Sequence, residues 1–410
     1  MQDVQLFQLA LGLTPPWQVT GSTFDADQRQ LDLQLDFAPG ATFACPQCAA
    51  AGCPVHDTVA KTWRHLDFFQ YAAYLHARTP RVRCGACGVR LVAVPWARPG
   101  SGFTLLFEAL VMTLVKEMAM AALARLVREH DTRLWRIVAH YVEQARAAAA
   151  FSAEYAAVRH VGVDETASKR GQHYITLFVD AERARLLYAT AGRDAATVAA
   201  FRADLEAHGG AAERIRDVCL DMSPAFIRGV TDAFPAAQQT FDKFHVMQLL
   251  GAAVDAVRRA EQQTRPELRG TRYVWTKNPE NLTPRQFAQW AQLTVPALRL
   301  KTARAYQLRL TFQEFWALRG AEAEAFLTRW YAWATRSRLP PIVEAAKTIK
   351  RHWAGVLRWA ESGLTNGLLE GINSLVQAAK AKARGYRSPR TLITMAYLLA
   401  GKLDFRPQPT

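Results

Sequence analysis

The order of apolar and polar residues predicts a strand near the start of the chain and helices after it. Residues 30–36 (Gln-Leu-Asp-Leu-Gln-Leu-Asp) alternate apolar and polar side chains, which predicts a half-buried strand. From residue 105 to residue 146 the apolar spacing becomes helical. Helices over 119–127 and 132–146, with Thr132 as the N-cap of the second, have the proportions of a helix-turn-helix. Any helical hairpin would satisfy this spacing.

The second half of the chain alternates strands and helices before it becomes wholly helical. The predicted strands cover residues 158–163, 173–179, 186–190, 216–220 and 239–241. A helix is expected between the third and fourth strands, with Asp194 as its N-cap and an end at His208 before two glycines. This order, with an acid after the first and fourth strands, is that of an RNase-H-like fold. From Val246 onward the sequence pattern predicts helix for nearly every residue.

Charge points to a nucleic-acid partner. The chain has 410 residues, a formal net charge of +15 and a pI near 9.8, and a protein this basic usually meets a polyanion. Residues 251–360 hold 19 basic and 8 acidic residues, so most of the surplus lies in that block. No apolar run reaches about 18 residues and the start Met-Gln-Asp has no basic segment, so we expect neither a membrane span nor a secretory signal.

Five of the six cysteines lie within 43 residues and predict a zinc site. Cys45-Pro-Gln-Cys48 and Cys84-Gly-Ala-Cys87 each place two thiolates on a tight turn, and four thiolates satisfy a tetrahedral Zn²⁺. Short strands are expected over 62–83, between the pairs. Cys53 and His56 are rival ligands, because a Cys-x2-His spacing also suits zinc. Buried reduced cysteines or a redox pair would be the alternative to a metal.

Two aspartates follow apolar strands in a way that predicts a second kind of metal site. Asp164 comes after the strand at 158–163, and Asp221 comes after the strand at 216–220. Two such carboxylates side by side need a cation to remain ionised, and oxygen ligands without nearby His or Cys favour Mg²⁺ or Mn²⁺. Two ions of this kind support displacement at phosphorus. The alternative is that each aspartate caps a turn, and Asp221 could cap a helix with Ser223.

Residues 364–387 form an amphipathic segment that adds a third acid. Glu370 lies in the second predicted turn of this helix, and basic residues lie at its other end. These are Lys380, Lys382, Arg384 and Arg387. One helix thus offers a metal-ligating carboxylate and a basic end suited to a DNA backbone.

These acids and their motifs resemble those of a known family. The order Asp164, Asp221, Asn366-Gly-x-x-Glu370-Gly-x-Asn373 and Lys380-x-Lys-x-Arg384-Gly-Tyr-Arg387 is similar to that of the DDE transposases of bacterial insertion sequences, specifically the ISL3 type. The cysteine module and the helix-turn-helix resemble that family too, so the likeness covers almost the whole chain. Ala381 departs from the pattern, because a basic residue is expected there.

The resemblance implies both the chemistry and the partners. Asp164, Asp221 and Glu370 would be the triad that holds two Mg²⁺ (or Mn²⁺) ions, beside a structural Zn²⁺ on Cys45, Cys48, Cys84 and Cys87. Asp242-x-x-His245 is similar to a family motif that helps to position cleaved DNA, although His245 could equally be a packed residue at a helix start. The expected partners are transposon-end and target DNA, bound by a homodimer or larger oligomer in the bacterial cytoplasm at the nucleoid.

The predicted DNA-binding residues come from three segments of the chain. They are Arg133, Arg136, Asp242, His245, Lys380, Lys382, Arg384 and Arg387, and Arg146 is a further candidate in the helix-turn-helix. The basic block also holds seven of the eleven tryptophans. Their helical spacing favours packing, although one could stack on a base.

The domain layout follows these assignments. We expect a strand region with the zinc module over 1–100, a helix-turn-helix over 101–150 and the first part of an RNase-H-like catalytic core over 151–250. A basic helical insertion over 251–360 follows, and the core closes with the third acid over 361–410. The fold class is therefore multidomain α+β. Two other functions stay open at this point: a DNA-binding regulator that descends from a transposase, and an RNase-H-like nuclease. The complete set of acids argues against the first, and the separate recognition module argues against the second.

Overall fold

The computed structural model describes residues 3–364 and 366–405 as a mixed α/β protein. These residues contain sixteen α-helices and eleven strands in two sheets. The chain divides into two compact units, residues 1–145 with 404–410, and residues 146–403. Thr365 of the predicted C-terminal helix and residues 406–410 lie outside the described residues.

The first unit is built on a six-stranded sheet. Its strands are β1 (Trp17–Asp25), β2 (Gln30–Phe37), β3 (Thr42–Phe43), β4 (Cys53–Arg64), β5 (Ala72–Cys84) and β6 (Gly88–Leu91). They follow the order β1-β2-β5-β4-β3, and β6 also pairs with β5. The predicted strand at 30–36 is confirmed as β2. The pattern at 62–83 belongs to two long strands, which start and end outside that range.

The alternation in β2 has the expected consequence for packing. Leu31, Leu33 and Leu35 are buried and alternate with polar residues along the strand. Their face of the sheet packs with Trp17, Trp63 and other residues into one hydrophobic cluster of this unit. Cys45 and Cys84 belong to the same cluster. The cysteine module therefore shares a core with the sheet.

Four helices belong wholly or mainly to this unit. They are α1 (Asp3–Ala10), α2 (Leu105–Glu117), α3 (Met120–Val127) and α4 (Asp131–Ala149). Helix α3 ends at Arg128, which has a left-handed backbone (φ 55°), and α4 follows. The prediction of Thr132 as an N-cap is wrong, because α4 already begins at Asp131 and Thr132 lies inside it. The Thr132 hydroxyl instead bonds with Nδ1 of His130 at 2.8 Å.

A buried carboxylate connects α2 to α4. Glu108 is fully buried, and its carboxylate accepts hydrogen bonds from Arg98 Nε (3.0 Å), the Ser101 hydroxyl (2.6 Å) and the Tyr141 hydroxyl (2.8 Å). A buried charge is tolerated when it is paired and fully hydrogen-bonded. The helices of the predicted DNA-reading segment are thus held by a polar network as well as by apolar packing.

The second unit contains a five-stranded sheet. Its strands are β7 (His160–Lys169), β8 (His173–Asp180), β9 (Arg185–Ala191), β10 (Asp217–Leu220) and β11 (Gln238–Phe241). They follow the order β11-β10-β7-β8-β9. β8 is antiparallel to β7 and β9, whereas β10 is parallel to both β7 and β11. All five strands predicted in this region are confirmed.

Strand β7 is longer than its sequence pattern indicates. Asp164 was expected at the end of an apolar strand, but β7 continues to Lys169. The reason is that β8 pairs with β7 along this whole length, whereas the parallel neighbour β10 pairs with it only as far as Gly162. Asp164 therefore lies where one of the two flanking strands stops, and Asp221 follows the last residue of that strand directly.

Twelve further helices complete the second unit. They are α5 (Ala153–Ala156), α6 (Ala195–Ala207), α7 (Pro224–Ala233), α8 (Lys243–Glu261), α9 (Arg272–Thr276), α10 (Pro284–Leu293), α11 (Lys301–Glu314), α12 (Gly320–Arg336), α13 (Pro340–Arg351), α14 (Trp353–Ser362), α15 (Gly367–Lys382) and α16 (Pro389–Ala400). The predicted cap of α6 is confirmed, since the Asp194 side chain accepts from the Thr197 backbone N–H at 3.2 Å.

The basic helical region shares one hydrophobic core with the sheet. Residues from β7, β10 and β11 belong to the same buried cluster as residues of α8 to α14. Four of its seven tryptophans are buried: Trp275, Trp316, Trp330 and Trp359. Trp333 differs from these, with 45% of its surface exposed. The expectation that most of these tryptophans pack in a core is therefore confirmed.

Within residues 3–364 and 366–405, no helix combines the length and the apolar character that a membrane crossing requires.

Candidate functional site

The two cysteine pairs come together in the first unit. The sulfur atoms of Cys45, Cys48, Cys84 and Cys87 all lie within 4.8 Å of one another. Cys45 and Cys48 follow β3, whereas Cys84 ends β5 and Cys87 lies in the turn before β6. Because β5 pairs with both β4 and β6, the sheet brings the two turns together across 35 intervening residues.

Backbone N–H groups in these turns stabilise the ionised thiolate form of Cys45 and Cys84. Hydrogen bonds from the backbone N–H groups of Cys87 and Ala86 lower the pKa of the Cys84 thiol to about 6. The N–H groups of Cys48 and Gln47 lower the pKa of Cys45 in the same way. Donors directed at a sulfur stabilise its ionised form, which is the form that binds metals.

The rival ligands lie outside this group of four. The Cys53 thiol donates to the carbonyl oxygen of Ala50 at 3.4 Å, and burial raises its pKa. His56 Nδ1 lies 3.1 Å from a guanidinium nitrogen of Arg83. Among the described residues, the four cysteines are the one group of three or more His, Cys, Asp or Glu residues with all ligand atoms within 4.8 Å.

Three carboxylates collect at one edge of the second sheet. Asp164 lies in β7 just past the end of its pairing with β10, Asp221 follows β10, and Asp242 follows β11. Because these three strands are parallel, their carboxyl ends meet at the same edge. Asp164 Oδ1 accepts from the Glu165 backbone N–H at 2.8 Å, and Asp221 Oδ1 accepts from the Ser223 backbone N–H at 2.9 Å. Asp221 therefore caps the turn before α7, whose N-cap residue is Ser223.

Burial and mutual repulsion act on these acids. Burial raises the pKa of Asp164 to about 6, and the charges of Asp221 and Asp242 add to the rise. The Glu165 backbone N–H and His245 act in the opposite direction. Keeping Asp164 ionised at pH 7 therefore costs folding free energy that is recovered as the pH falls below about 6. A bound cation at this edge would offset that cost.

Helix α15 brings Glu370 to the same region. The helix begins at Gly367, so Glu370 lies in its first turn and not in its second, as the sequence suggested. Glu370 is exposed on this helix, and partial desolvation together with the charge of Asp242 raises its pKa, whereas His245 lowers it. The charged groups that shift the pKa of Glu370 are thus Asp242 and His245. Whether Glu370 shares ions with Asp164 and Asp221 stays a prediction.

A glycine in β7 lets α15 approach the sheet closely. A Cβ atom at Gly162 would lie 2.7 Å from Leu369 Cδ1 and 3.1 Å from Asn366 Oδ1. Both atoms belong to side chains of the helix segment, so a residue larger than glycine at position 162 would require the Leu369 side chain to shift. The amide of Asn366 also donates to the Val163 carbonyl at 3.2 Å. These contacts hold the start of α15 against the strand that carries Asp164.

The Asp242 and His245 pair lies between the acids. Asp242 is the N-cap of α8 and is buried, and its carboxylate accepts from the backbone N–H groups of Phe244 (3.2 Å) and Asn366 (3.0 Å). His245 Nδ1 lies 3.3 Å from Asp242 Oδ2. This contact raises the pKa of His245, against the effect of burial, and the charges of Asp164 and Asp221 add to it. The described contacts of Asp242 are with the protein, so DNA contact by this pair stays a prediction.

The predicted DNA-binding residues of the helix-turn-helix differ in their surroundings. Arg136 is exposed on α4. Arg133 donates to Glu129 at 2.5 Å and lies 4.5 Å from the ring centre of Phe103. Arg146 donates to both carboxylate oxygens of Asp204 and lies over the ring of Tyr397. Arg146 is therefore committed to an internal ion pair, which leaves it poorly placed to contact a phosphate.

The basic residues after Glu370 also separate into two groups. Lys380 Nζ donates to the Ala167 carbonyl at 2.6 Å and to Gln377 Oε1 at 3.2 Å, so it anchors α15 to β7. Lys382 is exposed in the last turn of α15. Arg384 and Arg387 follow the helix and are exposed, with Arg384 in a left-handed conformation (φ 57°). The helix thus ends in an exposed basic turn.

Sequence reasoning missed two asparagines at this edge as site residues. Asn373 Nδ2 donates to Asp164 Oδ2 at 2.7 Å, and Asn366 joins β7 to α15. Both belong to the sequence motif around Glu370, but the motif alone indicates no role for either. Their spacing of three and four residues from Glu370 places them near it on the helix, and this was the available signal.

Comparison with known proteins gives the family. The transposase model of the ISL3 type matches residues 161–396, which is more than half of the chain. The transposase for insertion sequence element IS1557 of Mycobacterium tuberculosis is 32% identical over 439 aligned positions, covering 98% of this chain and 96% of the relative. The chain belongs to the ISL3 family of transposases. The resemblance found in the acid motifs is thereby confirmed.

Two further family models match the first unit of this transposase. A zinc-finger model of the transposases of IS204, IS1001, IS1096 and IS1165 matches residues 41–87, and a helix-turn-helix model of ISL3 transposases matches residues 92–142. The transposase for insertion sequence element IS1001 of Bordetella parapertussis is 28% identical over 353 aligned positions, covering 84% of this chain and 85% of the relative. The protein is thus a DNA transposase with zinc-finger and helix-turn-helix DNA-binding domains.

Proposed function

We propose that this transposase cuts DNA at the ends of an insertion sequence and joins the freed ends to target DNA, using Asp164, Asp221 and Glu370. The observation that carries the proposal is the collection of acids at the carboxyl ends of three parallel strands, with the helix that bears Glu370 docked on the strand that bears Asp164. Hydrolysis would first free a 3′-OH, which would then attack a target phosphodiester. This sequence needs no covalent protein intermediate.

The strand order supports an RNase-H-like catalytic core. The order β9-β8-β7-β10-β11, with β8 alone running against the others, is the arrangement expected for that fold. The helices between β11 and α15 would then be an insertion that packs into the core of the sheet. In the proposed layout, residues 151–250 and 361–410 make the core, 251–360 the insertion, 101–150 the DNA-reading segment and 1–100 the zinc module.

The residues at the sheet edge fit a divalent cation of the Mg²⁺ or Mn²⁺ type. Their donors are carboxylate oxygens, which hard cations prefer. The raised pKa values of Asp164 and Glu370 reflect desolvation and neighbouring negative charges, and a cation would offset both effects. When bound, two such ions would activate the attacking oxygen and stabilise the leaving oxygen. The protein itself would hold the three carboxylates in place, and His245 would offset part of their negative charge.

The four cysteines fit a structural Zn²⁺. Thiolates directed toward one point, with amide donors behind them, are the usual ligand set of such sites. We assign Cys45, Cys48, Cys84 and Cys87 as the ligands, without Cys53 or His56. The ion would fix the two turns that end the sheet and so support the adjoining DNA-reading helices.

DNA would contact the protein at several exposed basic residues. We assign phosphate contacts to Arg133 and Arg136 in the helix-turn-helix and to Lys382, Arg384 and Arg387 beyond Glu370. The exposed Trp333 is the tryptophan best placed to meet a base. Because two transposon ends must be held at once, the active species would be a homodimer or larger oligomer, acting on DNA at the nucleoid.

A strand-transfer assay tests this function. Purified protein, a labelled duplex of the element's own end and a target plasmid should give cleaved ends and joined products in Mg²⁺ or Mn²⁺, and neither in EDTA. A duplex with a scrambled end is the control for recognition. If the protein binds the ends but yields no cleaved or joined product in either metal, it is a regulator that binds DNA only, and the proposal is wrong.

Removing the basic turn after α15 should weaken DNA binding without changing the fold. The variant Arg384→Ala/Arg387→Ala loses two exposed cations, so the slope of log affinity against log salt should fall by about 1.8 if each contacts one phosphate. Fluorescence anisotropy between 50 and 300 mM salt measures it. The matched control is Arg319→Ala/Arg338→Ala, which removes two exposed arginines elsewhere. Equal slopes in both variants would refute a specific role for this turn.

A further inference from the structure

Side chains from α15 and its N-cap residue bond with β7 along the edge where β10 no longer pairs with it. Past Gly162, β7 has β8 on one side and, among the described residues, no paired strand on the other, yet it continues to Lys169. Side chains of α15 bond with this open edge. Asn366 donates to the Val163 carbonyl (3.2 Å), and Gln377 (3.0 Å) and Lys380 (2.6 Å) donate to the Ala167 carbonyl. The helix is therefore held in one register along the strand.

Asn373 lies between Asn366 and Gln377 in the sequence, but its hydrogen bond is of a different kind. Its Nδ2 donates to the side chain of Asp164, at 2.7 Å from Oδ2, and not to the strand backbone. The other carboxylate oxygen of Asp164 accepts from the Glu165 backbone N–H. Each oxygen of Asp164 thus has one fixed donor, which sets the orientation of the carboxylate and leaves lone pairs directed elsewhere.

The carbonyl oxygen of Asn373 has no protein partner although it is buried. In the described parts of the chain, Asn373 Oδ1 is inaccessible and accepts no hydrogen bond. Leaving such a group unpaired is unfavourable, so buried carbonyls of this kind usually serve a ligand or an ordered water. Asn373 follows Glu370 by three residues and is therefore its neighbour on the helix.

We propose that Asn373 is a positioning residue of the active site, which orients Asp164 through Nδ2 and offers Oδ1 to a water bound with the divalent cation. The inference rests on the proposed function and adds a residue to it. It explains why Asn373 is turned toward a carboxylate while its neighbours on α15 pair with the backbone. It also explains the unpaired oxygen, which would gain its partner only when the cation and its waters are present.

The test is the affinity of the full-length protein for Mg²⁺ without DNA, measured by calorimetry. In Asn373→Ala we expect the dissociation constant to rise about 10–100-fold, as for other residues that orient metal ligands. The thermal midpoint of the metal-free protein should change little, because the variant also removes an unpaired buried oxygen. In the DNA assay the cleavage rate should fall while end affinity stays the same. Asn373→Ser serves the same test if the Ala variant does not fold.

Two variants of the same helix are the controls. Ser374→Ala alters an exposed neighbour and should match wild type in every measurement. Gln377→Ala removes the bonds to Thr166 and Ala167, so it loosens the helix without touching Asp164. If Gln377→Ala lowers Mg²⁺ affinity as much as Asn373→Ala, or if Asn373→Ala binds Mg²⁺ as wild type does, the inference is wrong. Wild type that neither binds Mg²⁺ nor cleaves would instead refute the proposed function.

Discussion

Glu370→Gln should reduce cleavage and strand transfer by at least about 1,000-fold while end binding stays near wild type. Glutamine keeps the shape and hydrogen bonding of the side chain but removes the charge that balances the metals. Asp164→Asn and Asp221→Asn should have the same effect. Because burial raises the pKa of Asp164 to about 6, Asp164→Asn removes a costly charge, and we expect the metal-free variant to unfold at no lower temperature than wild type at pH 7.5.

Glu361 provides the matched control for Glu370. It is exposed at the end of α14 and pairs with Arg358 at 2.7 Å, and such exposed pairs contribute little. Glu361→Gln should therefore cleave and join DNA at close to the wild-type rate. The activities of Glu361→Gln and of the three active-site variants are compared by product formation on a labelled end duplex. Circular dichroism checks that each variant is folded. Full activity in Glu370→Gln, or a loss in Glu361→Gln equal to it, would contradict the assignment.

Loss of zinc should unfold the first unit and abolish specific end binding. Structural zinc contributes on the order of 10–16 kcal/mol to small modules, which is comparable to the whole stability of a domain. In Cys84→Ser, or after strong chelation, we therefore expect the zinc content to fall from one ion per chain to none. Residues 146–403 have their own hydrophobic cluster and should stay folded. Limited proteolysis distinguishes the two units.

Cys53→Ser is the control for the zinc experiment. Cys53 is also buried in the first unit, but its thiol contacts the Ala50 carbonyl and lies outside the group of four sulfurs. Zinc content and end affinity should therefore stay close to wild type. Zinc-free wild-type protein that binds ends normally, or zinc lost from Cys53→Ser as readily as from Cys84→Ser, would refute the assigned ligand set.

The parts of the site that depend on local sequence were predictable. A CxxC pair needs only four residues to form a tight turn, and the two pairs were recognised by that spacing. The strands of the second sheet could be read from apolar runs, and the helix after Asp194 from its cap. For the same reason Asp221, which follows a short strand directly, was placed correctly relative to that strand.

The parts that depend on distant pairing were not predictable. Asp164 was expected at a strand end because apolar residues stop there, but pairing with β8 extends β7 to Lys169. Lys380 looks like a phosphate ligand in the sequence, and only the fold shows that the Ala167 carbonyl is within its reach. The bond from Asn373 to Asp164 joins residues 209 positions apart. No local pattern encodes such contacts.

The third acid lies on α15, near the end of the chain, and this has a consequence for inheritance of the element. The third acid is encoded some 150 codons after the second, whereas the zinc-finger and helix-turn-helix domains are encoded first. A nonsense mutation in the interval would leave a product that can still occupy the element's ends but lacks the helix that completes the site. Under the proposed function, such a decayed copy would compete with intact copies for their ends. Damaged genes in one genome would then restrain the spread of functional ones.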